Sequence, residues 1–314
     1  MWANAHAHMI QTFQQELPHG ITLSCRATGT PGAPVLMFLH GFPEAAFVWD
    51  KLLEHFAQPE HGGFRCIAPN LRGFERSSAP VEASAYRAKP LLQDLEALIL
   101  AVTADGPSPG QLVALVAHDW GGALAWGLAA QRPALMQRLV IINAPHPATF
   151  QRELAHSHEQ QAASAYMNFL ARPDAAALLA ENDFARLWPF FTNMAADSGP
   201  VAWLDDAMRE RYRAVWHQGL TGPCAYYAAS PLRPPTADDP GAAAVQVPRD
   251  KATVTTPTLV IWGLGDTALP EALLDGLEDF VKDLRTERVP RATHWIVHEQ
   301  PARVARLIAD FLAN

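Results

Sequence analysis

The sequence predicts an α/β fold: a mostly parallel sheet flanked by helices and interrupted by an inserted helical segment. Three observations carry this. Short apolar runs rich in β-branched residues alternate with stretches whose apolar positions recur three and four apart, the rhythm of a parallel sheet covered on both faces. That rhythm stops near Pro147 and resumes near Thr258. The composition, 49% apolar and 18% charged over 314 residues, suits a chain with a sizeable core.

In chain order the first expected strands are Val35–Leu39, Arg65–Ala68, Leu112–Ala117 and Leu139–Ile142. Helices Phe47–Ala57, Pro90–Thr103 and Gly122–Gln131 fall between them. From Pro147 to about Leu232 the chain is rich in Ala, Leu, Trp, Phe and Tyr and reads as helices. A Pro-, Gly- and Asp-rich connector, Pro231 to Gly241, leads back to the α/β rhythm. There a strand Thr258–Trp262, a helix Glu271–Val281, a strand Leu284–Val289 and an amphipathic helix Pro301–Leu312 close the chain. The expected organisation is a core of residues 1–147 and 233–314 split by a helical cap, 148–232. Ligands bind at the carboxyl ends of strands in such sheets, and a segment inserted there is a lid candidate.

Composition also excludes functions. With 24 basic and 32 acidic residues the net charge is −8, without a basic block, which argues against nucleic-acid partners. No run of eighteen apolar residues exists to span a membrane. Residues Met1–Gln11 lack the basic start and apolar core of a secretory signal, so the expected compartment is the cytoplasm. Cys25, Cys66 and Cys224 are far apart and odd in number, forming neither a disulfide framework nor a zinc site. His6 and His8, like His156 and His158, have no third ligand at a useful spacing, so no metal is expected. No glycine-rich phosphate loop with its lysine is present, so no nucleotide cofactor is expected either.

The most informative stretch is Leu115-Val-Ala-His-Asp119-Trp-Gly-Gly122. An apolar strand runs into a helix through a polar residue flanked by Ala117, Gly121 and Gly122. This is the layout of the nucleophile elbow, with aspartate in the place of serine. A carboxylate needs no base to ionise it. It suits attack at a saturated carbon bearing a strained oxygen or a halide, which leaves an alkyl ester. Hydrolysis of that ester calls for a histidine to activate water and an acid to orient it. Asp266 follows the strand Thr258–Trp262, and His294 follows Leu284–Val289; the order nucleophile, acid, histidine suits this fold. His298, four residues on, is the rival base and ranks second. His40-Gly41-Phe42-Pro43 ends an earlier strand, so the backbone N–H groups of Phe42 and Trp120 are the expected oxyanion donors. The Phe42–Pro43 bond is a plausible cis peptide.

His40-Gly-Phe-Pro-Glu44, His118-Asp-Trp-Gly-Gly122 and Thr293-His-Trp295 together make the chain resemble the α/β-hydrolase superfamily, and within it the epoxide hydrolase branch. The resemblance covers nearly the whole chain. It implies an α/β-hydrolase fold with a helical cap domain, and two lid tyrosines that hold and protonate the epoxide oxygen. Tyr166 and Tyr227 occupy those places. Tyr226, beside Tyr227, is set aside on the resemblance alone. His40, Pro43, His118 and Trp295, together with the lid's Trp188, are expected to line the substrate pocket. One departure stands out, Asn70 in Pro69-Asn70-Leu-Arg-Gly73, where similar proteins often carry aspartate.

The implied function is a cofactor-independent epoxide hydrolase acting on small apolar epoxides, as a monomer or homodimer. Two rivals share the aspartate. Haloalkane dehalogenases usually place an amide side chain where this chain has Phe42. Haloacetate dehalogenases carry arginines after the nucleophile, where this chain has Trp120 and Ala123. A third alternative is a hydrolase-fold protein that binds a ligand without turning it over.

Overall fold

The computed structural model describes residues 9–193 and 201–313; His6 and His8 lie outside them. Eight strands form one sheet: β1 Gln11–Glu16, β2 Thr22–Thr28, β3 Val35–Leu39, β4 Arg65–Pro69, β5 Leu112–His118, β6 Met136–Ile142, β7 Thr258–Gly263 and β8 Leu284–Val289. Their order across the sheet is β1-β2-β4-β3-β5-β6-β7-β8. From β4 to β8 every pairing is parallel, and β2 alone runs antiparallel to its two neighbours, β1 and β4. The central strands β3 and β7 are buried along their full length and β5 nearly so. They read as unbroken apolar runs because helices cover both faces.

Helices α1 Asp50–Ala57, α2 Ala88–Thr103 and α3 Asp119–Gln131 follow β3, β4 and β5. The hairpin β1–β2 has no counterpart among the strands expected from sequence. Its outer strand, Gln-Thr-Phe-Gln-Gln-Glu, is mostly exposed and polar, so it carries little of the apolar alternation that marks a strand. A polar edge strand also discourages pairing with other chains.

One expected helix is corrected. Residues Glu271–Val281 form two short 3₁₀ turns, Glu271–Leu274 and Leu277–Asp279. Asp275 is extended and Gly276 is left-handed at φ +74°. The Arg152 guanidinium donates to the carbonyls of Ala272 (3.1 Å) and Asp275 (2.8 Å), satisfying oxygens that a continuing helix would have bonded.

Between β6 and the connector that starts at Pro231 the described residues hold seven α-helices: α4 Pro147–His156, α5 His158–Ala163, α6 Ala165–Leu170, α7 Ala175–Phe184, α8 Trp188–Thr192, α9 Asp206–Trp216 and α10 Thr221–Ala229. They are followed by α11 Arg249–Ala252, and after β8 the chain ends in α12 Ile296–Glu299 and α13 Pro301–Leu312. Among the described residues no helix is long and apolar enough to cross a membrane.

Aromatic contacts tie this helical segment to the sheet's carboxyl edge. The indole of Trp295 donates to Phe190 O at 3.0 Å, and that of Trp216 donates to Pro43 O at 2.7 Å. At Gly222, which opens α10, the backbone presses on Gly73: a Cβ there would fall 2.5 Å from the Gly73 Cα. Any larger residue would push α10, and the tyrosines it carries, away from the core.

Candidate active site

The elbow forms as the sequence expects. β5 runs into α3 at Asp119, whose φ of +49° is left-handed, a strained conformation for a residue with a side chain. Its neighbours explain the glycines. A Cβ on Gly121 would sit 2.6 Å from the carbonyl oxygens of Leu39 and His40, and one on Gly122 would sit 2.2 Å from the Ala144 Cβ. At Gly41 a Cβ would fall 2.2 Å from Asp119 Oδ1, so only glycine lets the β3 loop close over the carboxylate.

That closure brings the Phe42 N–H to Asp119 Oδ1 at 2.7 Å. The other expected donor, the Trp120 N–H, makes no hydrogen bond to this oxygen. The Phe42–Pro43 bond is cis.

Asp266 and His294 arrive at the same edge from the loops after β7 and β8. Their contact, His294 Nδ1 to Asp266 Oδ2, is 2.7 Å. Asp266 Oδ1 accepts from the N–H groups of Ala268 and Leu269, both at 2.9 Å. The free edge of the ring, Nε2, stands 3.7 Å from Asp119 Oδ2. This is beyond a hydrogen bond, yet close enough for a water on Nε2 to reach the Asp119 carboxyl carbon.

Burial opposes protonation of His294, but the charge and hydrogen bond of Asp266, with the charges of Asp119 and Glu44, outweigh it. The imidazole pKa rises to about 9.

Sequence reasoning missed Asn143. It is fully buried after β6 at φ +39°, and its amide donates to Asp266 Oδ2 at 2.7 Å while its carbonyl accepts from Gly263 N at 2.9 Å. Asn143 therefore fixes the acid that orients the histidine. A polar residue at the carboxyl end of a buried strand was the available signal.

A second buried cluster was also missed. Glu44 Oε1 accepts from His298 Nε2 (2.6 Å) and from the Tyr212 hydroxyl of α9 (2.8 Å), while Oε2 lies 3.3 Å from His118 Nδ1. Burial works to raise the Glu44 pKa, but the charges and hydrogen bonds of His298 and His118 prevail and hold the carboxyl well below its usual range. His298, the rival base, is thus engaged with Glu44 rather than with Asp119.

A cavity of about 360 Å³ opens over Asp119. Trp120, Tyr166 and Tyr227 line it beside the carboxylate. The Tyr227 ring is wedged edge-on between Phe42 and Trp120, each at 5.2 Å, and Tyr166 packs edge-on against Phe190 at 5.5 Å. Burial first, then the neighbouring charges, pushes both phenol pKa values up, so each hydroxyl keeps its proton. Tyr226 lines the cavity as well, but its hydroxyl donates to Arg72 O at 2.9 Å. This separates it from Tyr227 on geometry.

Five expected pocket residues are corrected: His40, Pro43, His118, Trp188 and Trp295 are not in the cavity lining. Their polar atoms are used elsewhere. His40 donates through Nδ1 to Gly41 O (2.9 Å) and accepts from Leu71 N (3.0 Å), and burial lowers its pKa to about 4, so it is a neutral brace between two loops. His118 Nε2 donates to His294 O at 2.9 Å. Trp188 carries the guanidinium groups of Arg209 and Arg213 over its ring at 4.8 and 5.2 Å. Pro43 and Trp295 make the indole contacts to the helical segment given above.

Asn70, the departure noted in sequence, is a satisfied structural amide. It accepts from Ala46 N (2.8 Å) and donates to Ser24 O (3.2 Å) and to Glu75. The three cysteines are buried free thiols.

A carboxylate on a left-handed strand-to-helix turn, facing an acid-supported histidine at the carboxyl edge of a parallel sheet, is the site of an α/β hydrolase. The sequence profile of the alpha/beta hydrolase fold family matches residues 34–301, and the chain belongs to that family.

Within it the chain belongs to the epoxide hydrolase branch. It is 32% identical over 304 residues to epoxide hydrolase 3 of Xenopus tropicalis, covering 93% of this chain and 75% of that one. It is 32% identical to the AB hydrolase superfamily protein YfhM of Bacillus subtilis, covering 94% and 96%. Among solved structures it is similar to one of the novel epoxide hydrolases from metagenomes of hot environments, with 36% identity, TM-score 0.83 and coverage of 97% and 99%. A Bacillus megaterium epoxide hydrolase in complex with an inhibitor aligns at 25% identity and TM-score 0.83, covering 96% and 100%.

Proposed function

We propose that this protein is an epoxide hydrolase that opens an oxirane to a diol through an ester on Asp119. The observation that carries the reading is the Asp119 carboxylate, which lies between the His294 imidazole and the cavity wall bearing Tyr166 and Tyr227.

In this mechanism Asp119 Oδ2 attacks one oxirane carbon, and the C–O bond breaks as the ring oxygen takes a proton from Tyr227 or Tyr166. A neutral, buried phenol meets the developing alkoxide without placing a competing anion in the cavity. The resulting ester keeps its carbonyl against the Phe42 N–H. The phenolate recovers its proton from the His294 imidazolium. The freed imidazole then takes a proton from water, the hydroxide adds to the ester carbonyl, and the adduct collapses to the Asp119 carboxylate and the diol.

The pKa of about 9 for His294 in the free protein fits this order. Asp119's charge is one of the groups that raise it. Esterification removes that charge just when the imidazole must act as a base, so its pKa falls.

The residues 148–232, the helices between β6 and β7, serve as the cap that supplies the two phenols. The sequence discriminators against the dehalogenases stand beside this: Phe42 offers no side-chain donor for a halide, and Trp120 and Ala123 stand in the stretch just after Asp119 where a carboxylate clamp would need arginines.

Diol formation from styrene oxide and halide release from 1-bromobutane, measured on one preparation, test the reading. The expected result is diol without halide; halide without diol overturns it. Tyr227→Phe is expected to slow ring opening about 10²-fold, measured by single-turnover kinetics, since Tyr166 remains as a donor.

A further inference from the structure

The cavity continues well past Asp119. Asp119, Ala123, Gly127 and Gln131 all line it, four residues apart on one face of α3. It therefore follows the helix for about 18 Å at 1.5 Å of rise per residue. Leu91 of α2 and Phe150 of α4 make its walls apolar, and its far end reaches the exposed residues Gln131 and Lys251.

Gly127 is the informative residue. It lies inside α3, where glycine is a poorer helix former than alanine. Neither packing nor backbone asks for it. A Cβ built there would meet nothing closer than Leu92 at 3.5 Å, an ordinary contact, and the residue has no left-handed φ. Gly121 and Gly122 differ in this respect, since a Cβ on either would collide. What the missing side chain at Gly127 leaves open is the cavity.

We infer that Gly127 sets the length of a slot for elongated epoxides, the oxirane at Asp119 and one unbranched apolar arm lying along α3 toward Gln131. This rests on the epoxide hydrolase reading. An extended backbone advances about 3.3 Å per three-atom unit, so roughly fifteen arm atoms span the slot. A branched or bulky arm meets the walls at Leu91 and Phe150.

The test compares kcat/KM for 1,2-epoxydodecane and 1,2-epoxybutane in the wild type, Gly127→Ala and Gly127→Leu. The long-to-short ratio is expected to fall severalfold in Gly127→Ala and at least tenfold in Gly127→Leu. Gly127→Ala should melt no lower than the wild type because alanine favours the helix, which keeps the test valid if the leucine variant folds poorly. A ratio that Gly127→Ala and any folded Gly127→Leu leave unchanged overturns the inference, as does a wild type that turns over only the short epoxide. A wild type that turns over neither epoxide overturns the epoxide hydrolase reading instead.

Discussion

Asp119→Ala is expected to abolish diol formation, with kcat/KM falling on the order of 10⁴-fold or more in a steady-state assay with styrene oxide. The size of the effect follows from what the side chain does. Without the carboxylate no ester forms, and the remaining groups can only polarise the oxirane for direct attack by water. The fold should survive, since α3 keeps Gly121 and Gly122, although alanine tolerates a φ of +49° less well than aspartate and leaves the Phe42 N–H without its acceptor. Thermal melting should still show one cooperative transition, at or below the wild-type temperature. A variant that retains a tenth of the activity would mean that Asp119 is not the nucleophile.

His294→Gln is expected to separate the two halves of the reaction. Ester formation needs Asp119 and the phenols, so one equivalent of epoxide should be consumed in a burst. Ester hydrolysis needs the base, so steady-state turnover should fall at least 10³-fold, within the range seen when a catalytic base is removed. A pH dependence accompanies this. The folded-state pKa of His294 lies above the ordinary value of 6.5, at about 9. Its contribution to stability is therefore fully present below about pH 6.5 and is lost as pH rises through 9. The melting temperature of the wild type relative to His294→Gln should decline across that window. A flat difference would show that the imidazole gains no proton affinity on folding.

Much of this site is legible in the sequence because each reactive side chain follows a strand. Asp119 and Asp266 come after apolar runs that end in small or turn-forming residues, and His294 after the more polar strand β8, and the fold brings the carboxyl ends of those strands to one edge. The elbow glycines are legible for the same reason, since a left-handed residue pressed against β3 and Ala144 leaves room for nothing larger. The pocket is less so. His40 and His118 adjoin site residues in sequence, but successive side chains on extended backbone point to opposite faces, and theirs turn toward loop carbonyls and Glu44. The lining instead gathers residues as distant as Leu91, Phe150 and Val245, whose meeting depends on how the helices pack. Asn143 and the Glu44–Tyr212–His298 cluster act through contacts across 120 or more positions, which local patterns do not register. The hairpin β1–β2 was obscured by its polar edge strand, and the break at Gly276 by an arginine from α4 that satisfies its carbonyls.

The central claim is that one oxygen of Asp119 becomes covalently bonded to substrate. It is tested most directly by mixing His294→Gln with a small epoxide, quenching in acid, and mapping the digested peptides by mass spectrometry. The account predicts that the peptide containing Asp119 gains the full mass of the epoxide, with fragmentation placing it on that residue, and that the Asp119→Ala/His294→Gln double variant gains nothing. Diol release at the wild-type rate without an adduct, or an adduct on another side chain, would contradict it.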